Sequence, residues 1–486
     1  MRLMDAERWT GKIYNGAWVE AAGGSYPVVE PATGAELGTV GLANRDDVKR
    51  AGVQAADAQR AWARVSYEER GRVLRRAGDL WESEAAHVQH WLVREAGSIA
   101  PKAGVETHGA SNECYEAAAL ASHPYGRLLP SAQPRLSLYR RLPAGVVGVI
   151  SPFNFPLILS IRAVAPALAL GNAVLLKPDP RTAVSGGVTV ARVLEEAGLP
   201  SGLFHLLPGG ADVGQAVTAD PNVRVVAFTG STETGRAVGQ LAAQHLKRAH
   251  LELGGNSALV VLDDVDLDAA ASAGAWASFL HQGQICMTAG RHLVHQRVVD
   301  GYVERLAAKA ENLPVGNPAT EPVALGPIID ETRRDHIHEL VTSSVDAGAR
   351  LAAGGTFQGL FYRPTVLADV TPTMPAYARE VFGPVAPVMP FSTIEEAAAL
   401  AADNDYGLAL GILTGDPMKG LALAERIPSG IVHINDQTVN DEAHAPFGGV
   451  GVSGTGSRLG GAEANIEAFT ETQWVTVRSE VASFPF

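Results

Sequence analysis

The chain has 486 residues, 46% hydrophobic and 19% charged, with a formal net charge of −13. That is too long for one ordinary core and too apolar for a disordered chain, so two or three globular domains are expected. The acidic balance leaves no basic excess to neutralise phosphates, which argues against a general nucleic-acid binder.

There are two cysteines, Cys114 and Cys286, too few for a disulfide framework or a C-x-x-C metal knuckle. A free thiol kept for chemistry suits a reducing compartment, and a cytoplasmic location is expected. Met1 to Gly11 carries Asp5 and Glu7 and no apolar centre, unlike a signal peptide. The most apolar region, Leu142 to Leu176, is interrupted by Asn154, Arg162, Asn172 and several prolines, so no membrane span is expected.

In chain order, Ile13 to Val40 reads as short strands joined by turns at Asn15-Gly16, Gly23-Gly24 and Thr33-Gly34. From Asp46 to about Leu120 the pattern is helical, with Val73, Leu74, Leu80, Trp81, Val88 and Leu92 at helical spacing. Glu106 and Glu116 in this region are expected to be solvated or paired at the surface. A proline-bounded strand pair lies between Gly126 and Gly145. Strands and helices then alternate. Strands are expected at Val146–Ile150, Ala173–Leu176, Leu203–Leu207 and Val223–Phe228, and helices at Ile158–Leu170, Thr182–Ala197 and Thr234–His245. Short, fully apolar strands alternating with helices predict a parallel α/β sheet covered on both faces, with ligands beyond the carboxyl ends of its strands. After Gly254 the alternation resumes, with strands at Ala258–Leu262 and Arg291–Val294 around a helix over Leu267–Leu280.

Two stretches carry chemistry. Leu251-Glu252-Leu253-Gly254-Gly255-Asn256 puts a carboxylate at a strand end, and Phe279 to Cys286 puts a thiol after an apolar, helix-like run. A thiol nucleophile and a carboxylate base are two parts of a covalent mechanism on a carbonyl carbon. A break between domains near Gly254-Gly255 would set Glu252 and Cys286 on opposite walls of a cleft. Pro152-Phe153-Asn154-Phe155-Pro156 offers an amide in a rigid loop. Phe228-Thr229-Gly230-Ser231-Thr232-Glu233-Thr234-Gly235 is a strand–turn–helix whose N–H groups and hydroxyl can face a pyrophosphate, although the usual G-x-G-x-x-G is missing. Lys177 ends an apolar strand. His281 lies five residues before Cys286, a spacing that does not share one helix face, so no Cys–His dyad is expected. His292 with His295, and His336 with His338, lack further ligands at metal-site spacing, and no metal is expected.

The Glu-Leu-Gly-Gly and Gly-Gln-x-Cys motifs, in this order and about thirty residues apart, resemble the aldehyde dehydrogenase superfamily. The resemblance runs from about Tyr14 to about Trp474. It implies two parallel α/β domains, a Rossmann-like cofactor domain (1–123 and 144–253) and a catalytic domain (254–454). A small β oligomerisation arm (124–143 and 455–486) would join two or four copies. It also implies Cys286 as nucleophile, Glu252 as the base that activates water, and Asn154 with the Cys286 N–H as oxyanion hole. NAD contacts are implied for Ile150, Ser151, Lys177, Gly210, Gly214, Phe228, Gly230, Ser231, Gly235, Leu253, Gly254, Glu380 and Phe382. Pro180 stands where the family usually has a ribose-binding glutamate, which leaves NADP open as well.

The Asn435-Asp436-Gln437-Thr438-Val439-Asn440-Asp441-Glu442 segment and Gly451 resemble the branch that oxidises aromatic aldehydes such as benzaldehyde and vanillin. Phe155, Arg162, Ile285 and Phe447 are the substrate candidates, with Arg162 either at the pocket entrance or in a surface ion pair. Three rival functions stay open: an aliphatic semialdehyde dehydrogenase, a thiol hydrolase without redox chemistry, and a non-catalytic protein of the same fold.

Overall fold

The computed structural model describes residues 3–486. Two seven-stranded sheets dominate it. In the first the strand order is Arg248–Glu252, Val223–Thr229, Val146–Ile150, Ala173–Lys177, Phe204–Leu206, Lys12–Tyr14, Trp18–Glu20. The first five run parallel, and the N-terminal hairpin closes the far side antiparallel. In the second the order is Arg350–Ala353, Thr365–Ala368, Val385–Phe391, Ala289–His295, Ser257–Val261, Ala409–Leu413, Ile431–Ile434, all parallel except the first.

Every residue of Val146–Ile150, Ala173–Lys177, Ser257–Val261 and Ala409–Leu413 is buried. Continuous apolar runs of this kind are what a sheet with helices on both faces requires. A separate three-stranded sheet pairs Thr470–Val477 with Leu136–Pro143 and Gly126–Leu128. It leaves Leu128, Leu136, Trp474 and Val477 exposed. Among the described residues no helix is long and apolar enough to cross a membrane.

Three local expectations are corrected. Glu106 is not a surface charge. It is fully buried in the Ala100–Leu120 helix, bonded to Lys102 and to the first turn of the Pro156–Ala169 helix; Glu116 is exposed as expected. The helix expected over Thr182–Ala197 begins as a wider π turn at Val184–Val188 and becomes regular only at Thr189–Glu196. Its start is held by the buried Glu95 carboxylate, which accepts from the Val184 and Ser185 N–H groups and the Ser185 hydroxyl. Finally, the helix before Cys286 stops at Phe279. His281 and Gln282 take left-handed backbone (φ 49° and 56°), so the thiol sits in a loop.

Gly451, part of the branch signature, sits at φ 61° in the short Tyr406–Gly407 and Val450–Gly451 ladder, and a Cβ there would lie 2.3 Å from the Asp405 carbonyl oxygen. Gly451→Ala should therefore cost about 1–3 kcal/mol through left-handed strain and overlap. A thermal unfolding midpoint equal to that of the native chain would refute this.

Candidate active site

The carboxyl ends of the parallel strands in the first sheet open into a cleft of about 610 Å³. Each strand delivers part of its lining. Val146–Ile150 brings Ile150, Ser151 and the 152–154 loop, Ala173–Lys177 brings Lys177, and Val223–Thr229 brings Phe228 and the Gly230-Ser231 turn. The Ser231 hydroxyl caps the Thr232–Gln244 helix by accepting from the Thr234 N–H at 3.3 Å, so the positive end of that helix faces the cleft. Gly210, Gly214, Leu253, Gly254, Glu380 and Phe382 complete the expected lining.

Gly235 does not line it. A Cβ there would fall 2.2 Å from Leu253, so this glycine serves close packing of helix on strand. Two lining residues that the sequence did not single out for the cofactor are Phe153 and Arg181; the Phe153 ring lies 4.3 Å from the Arg181 guanidinium and 5.9 Å from the Phe382 ring. The Arg181 charge is already met by Asp179 at 2.8 Å and Asp330 at 2.5 Å.

Cys286 sits where this cleft meets a second cavity of about 900 Å³, and both Cys286 and Asn154 line both spaces. The loop carrying the thiol is pinned on both sides. Gln282 donates to the Gly97 and Pro327 carbonyls, and Gln284 accepts from the Ile329 N–H at 3.1 Å. Gly283 (φ 66°) lets the loop pass Gly383, whose carbonyl oxygen would be 2.0 Å from any Cβ. His281 is buried edge-on to Phe155 at 5.6 Å, and neither ring nitrogen has a hydrogen-bond partner. Burial, then the nearby Lys102 charge, holds this imidazole neutral far below its usual range.

The second cavity takes Phe155, Arg162, Ile285 and Phe447 into one wall, and the 436–444 segment into another. Trp276 and Val105, both more than half exposed, also line it. Arg162 is neither an entrance residue nor a surface pair. It is buried, holds Glu113 at 2.9 Å and also Asp441, and lies 5.0 Å from the Phe447 ring centroid. Glu113 and Lys102 were missed in the sequence; the i,i+4 spacing of Lys102 to Glu106 offered a signal, whereas the partner of Glu113, Arg162, lies 49 residues away.

Glu252 lines neither large space. Its carboxylate occupies a small recess walled by Arg162, Phe447, Thr229 and Leu459, where the Gly449 N–H also acts on it. Burial pushes this acid up to about 8 against the opposing pull of Arg458 and Arg162. Burial likewise raises Glu380 to about 7, although it accepts from the Gly255 N–H at 2.9 Å. The Cys286 thiol is pushed up to about 12, first by burial and then by the Glu380 and Glu252 charges. The arrangement is a thiol at the meeting point of two cavities, beside a free amide, with a protonatable carboxylate close by. That is the equipment of covalent chemistry on a carbonyl carbon.

The chain belongs to the aldehyde dehydrogenase family, whose profile matches residues 18–475. It is 67% identical over 486 residues to a vanillin dehydrogenase of an Amycolatopsis species, covering 100% of both chains. It is 49% identical over 479 residues to the benzaldehyde dehydrogenase [NAD(+)] of Pseudomonas putida, covering 98% of each. Among solved structures it is similar to a salicylaldehyde dehydrogenase from Pseudomonas putida G7 complexed with salicylaldehyde. The TM-score is 0.94 at 35% identity, over 98% of this chain and 99% of that one.

If Glu252 works as a base, only its ionised form is competent. With the acid raised to about 8, turnover should rise with pH through a midpoint near that value and level off above it. A kcat profile flat from pH 6 to 9, or the same limb persisting in Glu252→Gln, would contradict this.

Proposed function

We propose that the protein oxidises an aromatic aldehyde of the benzaldehyde or vanillin type to the carboxylic acid, with NAD as hydride acceptor. The observation that carries the substrate class is the second cavity. It reaches Cys286 between Phe155 and Phe447, and the two cations in its wall are already paired, Arg162 with two carboxylates and Lys102 with Glu106. Aromatic faces favour a flat ring. A substrate carboxylate would find no surplus positive charge, which disfavours acidic semialdehydes.

The cleft of the first sheet fits a dinucleotide. Its helix N-terminus and the Gly230-Ser231 turn suit a pyrophosphate, and Lys177 is a buried cation for the adenosine side. Glu380 and Phe382 would hold the nicotinamide half near Cys286. Because Arg181 is occupied by Asp179 and Asp330, it offers little to a 2′-phosphate, and NAD is favoured over NADP. Bound NAD supplies the hydride acceptor.

The residues of the chain do the rest. The Cys286 sulfur attacks the aldehyde carbon, losing its proton, and forms a thiohemiacetal. The Asn154 amide and the Cys286 N–H stabilise the oxyanion that develops. Loss of hydride leaves a thioester on Cys286. Glu252, buried in its recess, takes a proton from the water that hydrolyses it. The unit built on the first sheet thus serves the cofactor and that on the second the nucleophile. The exposed three-stranded sheet, with its row of apolar side chains, is the surface through which we propose two or four copies assemble.

Purified protein given NAD should show an aldehyde-dependent rise in reduced-nicotinamide absorbance. Benzaldehyde or vanillin should exceed hexanal and succinic semialdehyde in kcat/KM, and NAD should exceed NADP. A preference for the aliphatic substrates would discard the substrate class and keep the chemistry. Cys286→Ala should abolish oxidation. Glu252→Gln should keep a burst of one hydride per site and slow every later turnover; loss of the burst would remove Glu252 from the hydrolytic step.

A further inference from the structure

Asn154 stands in a short irregular link between the Val146–Ile150 strand and the Pro156–Ala169 helix. Two side chains one helical turn apart on the Ala100–Leu120 helix grip that link from behind. The Lys102 ammonium donates to the Asn154 carbonyl at 2.8 Å and lies 4.1 Å from the centroid of the Phe155 ring. Glu106 accepts through one oxygen from the Leu157 N–H at 2.7 Å and the Ile158 N–H at 3.4 Å, and through the other from Lys102 at 2.5 Å. The two side chains are 1% and 0% exposed.

A buried ion pair is a poor way to gain stability. Two charges must leave water, and an apolar pair of the same volume would often serve as well. Capping the helix explains Glu106 alone, and a neutral glutamine could accept the same two N–H bonds. Lys102 has no part in the cap. Its contacts are Asn154, Phe155 and Glu106, so the pair ties residue 154 to the first turn of the helix at residues 157 and 158.

We propose that Lys102, held by Glu106, is a positioning residue that sets the Asn154 amide where the oxyanion of the thiohemiacetal develops. This rests on the reading of Asn154 as an oxyanion donor given above. The ammonium holds the backbone carbonyl of residue 154, and that same residue lines both cavities together with Cys286. Removing an oxyanion donor costs about 10²–10³ in kcat, and a misplacement of about 1 Å costs on the order of 10². Loss of Lys102 should therefore cost about 10–100-fold in kcat, with little change in KM or in NAD affinity.

A double-mutant cycle tests this, with Lys102→Met, Asn154→Ala and the two combined. Pre-steady-state formation of reduced nicotinamide is read alongside kcat, KM and the NAD dissociation constant. Each protein is checked by circular dichroism and NAD binding. The expected result is a loss in Lys102→Met that falls on the hydride-forming phase and is recovered in part by Lys102→Arg. In the Asn154→Ala background the same change should cost no more than about twofold. A folded Lys102→Met enzyme with unchanged kcat, or losses that multiply fully in the double variant, overturns the proposal while leaving Asn154 in its role. An Asn154→Ala enzyme as fast as the native one overturns the reading of Asn154 and the proposal with it. If Lys102→Met strands the Glu106 charge and fails to fold, the cycle is run with Lys102→Met/Glu106→Gln, which removes both charges and keeps an acceptor for the Leu157 N–H. The same non-additivity is expected of it.

Discussion

Backbone meets backbone where the two sheets abut, and the site exists because nothing larger than glycine stands there. A Cβ on Gly255 would lie 2.4 Å from the Cys286 carbonyl oxygen, and one on Gly254 would lie 2.2 Å from the Glu380 carboxylate. On the opposite side, a Cβ on Gly448 would come within 2.8 Å of Glu252. The backbone contact at Gly255 admits no side chain, and a Cβ at Gly254 or Gly448 would displace the Glu380 or Glu252 carboxylate, so these glycines keep both the junction and its acids in place. The thiol and the amide come from loops, and the carboxylate from the last residue of a strand. Only the close seating of those loops brings them to one place.

That seating removes water, and dehydration dictates the charge state of the site. Raising Glu252 from its ordinary 4.5 to about 8 corresponds to roughly 5 kcal/mol against its ionised form. Glu380, Glu113 and the Cys286 thiol move the same way for the same first cause. A site crowded with ionised carboxylates would repel the thiolate that must form within it. Burial leaves Glu252 mostly neutral near pH 7 and the thiol protonated, with Glu380 and Glu113 poised between their two forms. The cations nearby are divided among carboxylates, so none dominates the field.

The elements along the first sheet were legible because their strands are apolar throughout and their turns carry glycine or proline. The motifs around Glu252 and Cys286 were legible because their residue types have few other uses in that order. What escaped the sequence was long-range pairing. Glu106 resembles any helical surface glutamate until the 152–156 loop, about fifty residues later, is laid over it. Arg162 reads equally well as an entrance residue or a surface pair. Its burial depends on Asp441, 279 positions away. The kink at His281 and Gln282 was hidden too, since both are left-handed without being glycine; the His281 carbonyl accepts from the Gln284 N–H, and the Gln282 side chain donates to two carbonyls.

Those same long-range pairs separate the chemistry from the choice of substrate. The thiol and the amide are set by loops and the carboxylate by a strand end, and that arrangement says nothing about what the aldehyde carries. The second cavity does. Its wall is closed by the 436–444 segment, which brings Asp441 to Arg162 and so spends the one guanidinium that could otherwise draw an anionic substrate tail. Had that segment ended in a neutral residue, Arg162 would face the cavity with only Glu113 to balance it, and a carboxylate could compete for its remaining donor. Charge pairing in the wall and aromatic rings beside Cys286 thus act together. The first withholds attraction from acidic aldehydes, and the second supplies apolar faces to a ring.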